Sequence, residues 1–404
     1  MLNAKNEREL CYVVRVDEIK PIEGRDRVEC AVVGGWTIMV RKNQFKPGDL
    51  GIYFEIDSQV PEKEPFMFLE AKHFKIKTQK YKTPDGQFWS QGLLMHAEDF
   101  GWQMLDDFIA DDKNNLHFSE GDTRFLTKKL GITYAVAEDN SRKANSVDKY
   151  KKMAQRHPKL FAKKPIRWLM HYEWGKKLLF VFFGKKKDKK GGWPEWVAKT
   201  DEERIECIPY RLTNKDPWIA TEKIDGTSTT FTMKRGKWGK NDFYICSRNV
   251  VFDKPDKQCF YETNVYTEMA QKYDVENVLA SILADNPDLE WVTLQGETYG
   301  AGIQKRDYGL TEHRFMGFNF ITSKEGRWNS VRAAKFIENY NIPWVPILDE
   351  NYVLPDTIEE LRAFSHSEGS RIDGEIKAGI VFRSQDGSMS FKCVDPDFLM
   401  KYHN

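Results

Sequence analysis

Apolar positions come in short alternating runs over the first hundred residues and in longer ones after Trp193. Cys11-Tyr-Val-Val-Arg-Val16 reads as a strand. Asp26–Val33 and Trp36–Val40 flank Gly34-Gly35 as a hairpin with a two-residue turn. Lys46-Pro-Gly-Asp49 marks another turn, before the strand Leu50–Ile56. Gln87–Met95 reads as extended after the Pro84-Asp-Gly86 turn. Short strands and turns at this spacing predict a small barrel or sandwich. The pattern weakens from Phe118 to Asn140, and Val147–Arg156 reads as a helix that stops before Pro158. Beyond Trp193, Lys199–Ile205 reads as a helix start, with Thr200 as cap and Glu203 three residues on. Thr229–Lys234 favours a strand, and Tyr244–Asn249 ends another. Thr263–Ala284 has helical spacing. Trp291–Tyr299 is a strand entering Gly300-Ala-Gly302, Phe315–Phe320 is another, and Val331–Tyr340 is a helix. Gly379–Arg383 and Met389–Cys393 form a hairpin about Gln385-Asp-Gly387. Strands and helices mixed without strict alternation predict an α+β protein.

A length of 404 residues allows two or three domains, and 40% hydrophobic with 13% aromatic residues is a globular composition. The six cysteines are scattered, with no C-x-x-C pair, and there is no Walker A or H-E-x-x-H sequence. Met1–Arg8 lacks signal-peptide character, and the longest apolar run, Leu178–Phe183, is too short to span a bilayer. The expected location is the cytoplasm or the interior of an infected host cell. Net charge is +1 but unevenly spread: between Ser141 and Gly192 seventeen Lys and Arg face three acids. Trp168, Tyr172 and Trp174 lie among them, so phosphate contact and base stacking are expected there. The expected division is an OB-like, nucleic-acid-binding β-barrel over 1–140, a basic linker over 141–195 and a catalytic domain over 196–404.

The candidate chemistry centres on Thr221-Glu-Lys-Ile-Asp-Gly-Thr-Ser228. On an extended backbone Lys223 and Asp225 share a face, and Gly226 frees the chain to turn after them. An amine beside a carboxylate at a strand end suits a nucleophile with a metal-water ligand. Lys-x-Asp-Gly by itself is a weak signal, and its companions strengthen it. In order come Lys223-Ile-Asp-Gly226, Ser247-Arg-Asn249, Gln295-Gly-Glu297, Phe315-Met-Gly-Phe318, Ala378-Gly-Ile-Val381 and Ser390-Phe-Lys392.

This series resembles motifs I, Ia, III, IIIa, IV and V of the covalent nucleotidyltransferases, the ATP-dependent RNA and DNA ligases and mRNA capping enzymes. An OB domain preceding the catalytic domain is similar to one branch of RNA ligases. The resemblance covers Cys11–Pro61 and Lys199–Tyr402. It implies an ATP-dependent RNA ligase that seals 3′-OH and 5′-phosphate ends, at nicks in duplexes, with ATP and Mg²⁺ or Mn²⁺. Lys223 would form the lysyl-adenylate and Lys392 would contact the α-phosphate. Glu222 and Arg248 would bind nucleotide, Phe315 would stack on adenine, Glu297 would serve the ribose or metal-bound water, and Asp225 would sit on the same hydrated metal. A monomer is expected, with RNA as partner and no membrane. Two departures stand out: Ala378 occupies the position of a motif IV glutamate, and Ser390 that of a second motif V lysine. Ala378 keeps open a non-catalytic RNA-binding protein on a decayed ligase fold. A DNA ligase or capping guanylyltransferase is the enzymatic alternative.

Overall fold

A computed structural model describes residues 1–3, 8–84, 86–102, 125–134, 193–236, 240–252 and 264–403, with Leu169. The expected helix 147–156, the basic loop and the three aromatics of the basic segment lie outside them.

The N-terminal strands form two three-stranded antiparallel sheets. One pairs Cys11–Arg15 with Leu50–Phe54 and that strand with Leu93–Met95; the other runs Glu18–Pro21, Val28–Val33, Trp36–Arg41. Val33 pairs with Trp36, so Gly34-Gly35 is the two-residue turn the sequence suggests. Gly34 takes the left-handed φ of 55° that such turns need. Trp36, Ile38 and Val40 alternate inward and meet Tyr12, Val14 and Tyr53 in the barrel interior. Cys11, Val13, Ile52 and Phe54 point the other way, against Phe66, Leu69 and Leu126. Both faces of these strands are covered, which explains their unbroken apolar runs. Gln87–Met95 is two strands, Gly86–Ser90 and Leu93–Met95, separated at Gln91-Gly92.

The second half holds two antiparallel sheets. A four-stranded sheet runs Ile347–Tyr352, Trp218–Glu222, Gly379–Ser384, Ser390–Val394. A six-stranded sheet runs Val251–Phe252, Asp242–Cys246, Thr227–Lys234, Trp291–Gly300, His313–Thr322, Gly326–Arg327. Helices Val265–Lys272, Val275–Asp285 and Ser330–Glu338 bury Met269, Leu279, Ile282 and Ile337 against Phe231, Leu294 and Phe320 of the larger sheet. Helix Ile358–His366 covers Trp218, Phe382 and Phe391 of the smaller one.

Two expected elements differ. The single helix 263–284 is broken where Asp274 adopts a left-handed φ of 49°. Lys199–Arg204 forms no helix: Lys392 N donates to Glu203 O (2.8 Å), so the segment lies as an edge along strand Ser390–Val394. The Thr200 hydroxyl meets Ser228 Oγ (2.5 Å) instead of capping a turn. Among the described residues no helix is long and apolar enough to cross a membrane.

The halves share one core. Cys207, Val394 and Leu399 join the barrel interior beside Trp36 and Tyr53. Gly35 N donates to Glu206 O (2.8 Å), and a Cβ at Gly35 would fall 2.6 Å from Glu206 Cα. Arg362 donates to Gln91 Oε1 (2.6 Å) and to the fully buried Glu206 (2.8 Å).

Candidate active site

Lys223 sits where the chain crosses between the two sheets. Strand Trp218–Glu222 belongs to the smaller sheet and Thr227–Lys234 to the larger, so Lys223-Ile-Asp-Gly226 bridges the groove between them. Lys223 N donates to Gly379 O (3.0 Å), and its Nζ donates to Ile224 O (3.2 Å). Asp225 N donates to the Tyr308 hydroxyl (2.7 Å). Gly226 works differently from the expectation. Its φ is not in the left-handed region. A Cβ there would lie 2.3 Å from Thr298 O and 3.0 Å from Glu297 Cγ. Glycine lets the lysine loop press onto strand Trp291–Gly300, next to Glu297, which pairs with Ser228.

Electrostatics ties these groups together. Burial opposes the Asp225 charge, yet the His403 hydrogen bond and Lys223 outweigh it and hold the carboxyl below its ordinary value. Burial pushes Glu297 up to about 7; Lys223 pulls against that rise and the Asp225 charge adds to it. Burial likewise pushes Lys392 down to about 8, helped by Arg204, Arg8 and Lys223 against Asp201. Lys392 lies on strand Ser390–Val394 opposite Val381. The structure therefore brings Lys223, Asp225, Glu297 and Lys392 into one electrostatic site. Arg248 reaches its edge, where Asp201 accepts from Nε (2.9 Å) and Nη2 (2.5 Å).

Phe315 is corrected. Its side chain has no exposed surface and packs edge-on to Phe231 (5.2 Å) inside the helix-covered core. A Cβ at Gly296 would touch its ring. In register, Phe315 pairs with Thr298 and Met316 with Glu297, so Phe315 lies on the face opposite Glu297. Phe315 presents no open ring face on which an adenine could stack. Phe318 is the aromatic on the groove side, half-buried, with the Arg383 guanidinium of the smaller sheet 5.6 Å from its ring. A β-bulge at Gln295/Gly296 makes Phe318 the unpaired residue between Gly317 and Asn319. The period-two rule, run from Met316, would have found it.

Glu222 is committed elsewhere. Its carboxylate accepts from Ser370 Oγ (2.5 Å) and Arg371 N (2.9 Å), fastening segment 370–371 to the end of strand Trp218–Glu222. Ala378 is buried, and its carbonyl accepts from Asp395 N (3.2 Å). The adjacent Gly379 has φ 142°, and a Cβ would lie 2.2 Å from Cys393 O, so that glycine is required by both backbone and space. Ser390 Oγ accepts from Arg327 (2.9 Å). Sequence reasoning also passed over Arg204, 6% exposed, whose Nε and Nη1 have no partner; Nη2 reaches Asp57 Oδ2 at 3.4 Å. His366, Asp395 and Asp397 also cluster, but Asp397 pairs with Lys80 (2.7 Å) and Asp395 caps the turn at Pro396.

Residues 216–403 match the family model described as RNA ligase, and residues 10–96 match one described as an OB-fold domain. Residues 216–403 belong to the RNA ligase family. The N-terminal barrel is an OB-fold domain, and the α+β assignment holds for the chain. Solved structures similar to this chain include the Naegleria gruberi RNA ligase with PPi, at 22% identity and TM-score 0.68, covering 98% of this chain and 99% of that one. A mutant of the same ligase with ATP and Mn gives 22% and TM-score 0.69, covering 98% of this chain and 100% of that one. Another mutant, with AMP and Mn, gives 22% and 0.68 over 98% and 99%. No curated protein matches in sequence. The similarity to these structures places the OB-fold barrel and the RNA ligase domain in one shared fold.

Proposed function

We propose that this RNA ligase domain acts with ATP to join a 3′-OH to a 5′-phosphate end of RNA, at nicks, through a lysyl-adenylate on Lys223. The carrying observation is the convergence of Lys223, Asp225, Glu297 and Lys392 where the chain crosses between sheets. The Lys223 amine attacks the α-phosphorus of ATP; a P–N bond forms and the P–O bond to pyrophosphate breaks. AMP then passes to the RNA 5′-phosphate, freeing the lysine. The RNA 3′-oxygen attacks that phosphorus, and AMP leaves.

Each residue has a physical task. Lys392, with Arg204, Arg8 and Lys223 nearby, belongs to a partly buried group of cations that suits a polyanion. The unpartnered N–H groups of Arg204 add donors to it. Phe318 offers a ring face in the groove for the base. Asp225 and Glu297 form an all-oxygen donor set: burial raises Glu297 most, Lys223 opposes that rise, and the nearby Asp225 charge adds to it. That set fits Mg²⁺ or Mn²⁺ held largely through water. A bound ion would neutralise charge on the phosphorus.

Intact mass after incubation with ATP and Mg²⁺ tests the reading: the chain gains one AMP and Lys223→Ala gains none. Ala378 favours a second reading, RNA binding without catalysis. It predicts no adduct in either protein, and none in Ala378→Glu. On the leading reading, Ala378→Glu returns a metal-binding carboxylate and raises the sealing rate.

A further inference from the structure

The carboxylate of Asp225 rests against a residue that the motif series does not contain. After Asp395 caps Pro396–Phe398, the chain makes a single wide turn, Leu399–His403. This turn brings His403 Nε2 to 3.2 Å from Asp225 Oδ2. It is anchored without help from His403. The Arg306 guanidinium stacks on Tyr308 (4.1 Å), Phe398 (5.6 Å) and Tyr402 (5.6 Å) while donating to both oxygens of Asp373 (2.6 and 2.8 Å). Lys401 pairs with Glu375 (2.9 Å). Phe398 also backs the imidazole, with ring centres 5.6 Å apart.

Asp225 is thus fixed twice, by Tyr308 at its backbone N–H and by His403 at one carboxylate oxygen. A donor on Oδ2 leaves Oδ1 free to face an ion or its water, and outer hydrogen bonds of this kind tune metal affinity. Position 378, one residue before the Gly379 carbonyl that holds Lys223, brings no acid of its own. We propose that His403 is a positioning residue that orients Asp225 toward the divalent cation and compensates in part for the carboxylate missing at Ala378. This rests on the reading of Asp225 and Glu297 as the cation-holding pair.

The experiment is titration of Mn²⁺ alone into the full chain, followed by the loss of the free Mn²⁺ electron paramagnetic resonance signal, with no nucleotide and no turnover. His403→Ala is expected to weaken Mn²⁺ binding about tenfold. His403→Gln, which restores an N–H donor, is expected to recover most of it. Without metal His403→Gln should melt at the parental temperature and His403→Ala, which leaves the buried Asp225 carboxylate without this donor, somewhat lower; weaker Mn²⁺ binding measured well below both melting temperatures is a pattern that a merely structural histidine would not give. Asp225→Asn separates the two layers of argument. If it weakens binding and both His403 variants bind as the parent does, the His403 proposal is overturned alone. If Asp225→Asn changes nothing, or the parent binds no Mn²⁺, the carboxylate-pair reading falls and takes the proposal with it. Tighter binding by His403→Ala also overturns it, since His403 would then be occupying the ion's place. Should the alanine variant fail to fold, the glutamine variant decides.

Discussion

Two phenylalanines three residues apart on one strand have different fates. Phe315 fills the core and Phe318 lines the groove. Phe315→Ala should cost about 3–5 kcal/mol in denaturant unfolding, because the cavity cannot collapse among Phe231 and its neighbours. Phe318→Ala, at a ring only half-buried against that core, should cost clearly less in unfolding than Phe315→Ala and raise the KM for ATP. Reversed outcomes would restore Phe315 to the nucleotide site. Lys392 gives a pH prediction. Its folded value is pushed down to about 8, so between that value and its ordinary one the folded chain binds fewer protons than the unfolded chain. Its penalty on folding is therefore full below about 8 and fades as pH rises further. For function the sign is opposite: ATP binding should weaken as pH rises through about 8 and the amine loses its charge. Lys392→Arg should move that fall upward, as measured by nucleotide affinity across pH.

At the scale of elements, the loop Lys223–Gly226 owes its place to strand Trp291–Gly300. Gly226→Ala would set a methyl 2.3 Å from Thr298 O, so the loop must lift and carry Lys223 and Asp225 with it. We expect a loss of about 1–3 kcal/mol of stability, typical of overpacking, and a larger fractional loss of adenylation. A mutant that adenylates at the parental rate would show that the close approach is incidental. The same strand shows why the aromatic was misassigned from sequence. Phe315 and Phe318 stand an odd number of residues apart and so face opposite sides, and only the pairing of Met316 with Glu297 shows which of those sides is the groove. Likewise the polar run Lys199–Arg204 has cap-like spacing, but its backbone groups find Lys392 and its acids find Arg248, Arg327 and Arg383. Tertiary partners override local propensity there.

The whole molecule folds around a continuous interior. The barrel core extends into Cys207, Val394 and Leu399, and Gly35 meets Glu206 too closely for any side chain. The OB-fold and RNA ligase domains should therefore unfold in one calorimetric transition. Arg362 is the most exposed weakness of this joint, since it neutralises the fully buried Glu206 and reaches Gln91. Arg362→Ala leaves that carboxylate buried and unpaired and should cost about 3–5 kcal/mol. Two resolved transitions in the parent would contradict the shared core.

The sequence by itself pointed to most of the elements and to an RNA ligase domain behind an OB-fold. Period-two alternation, Gly-Gly and Asp-Gly turns and six ordered motifs are local signals, and local geometry follows from them. It also suggested that Lys223, Asp225, Glu297 and Lys392 belong together, because motif order carries long-range information that propensity does not. Only the tertiary structure decided which side chains share the site. Phe318 enters and Phe315 leaves because the strand pairing sets Met316, not Phe315, opposite Glu297. Gly226 is needed for contact with a strand seventy residues on. Glu222 is drawn away to Ser370 and Arg371, and His403 arrives at Asp225 from a turn with no periodic signature. In each case the cause is a contact between segments far apart in the chain, and such contacts exist only once the sheets have packed.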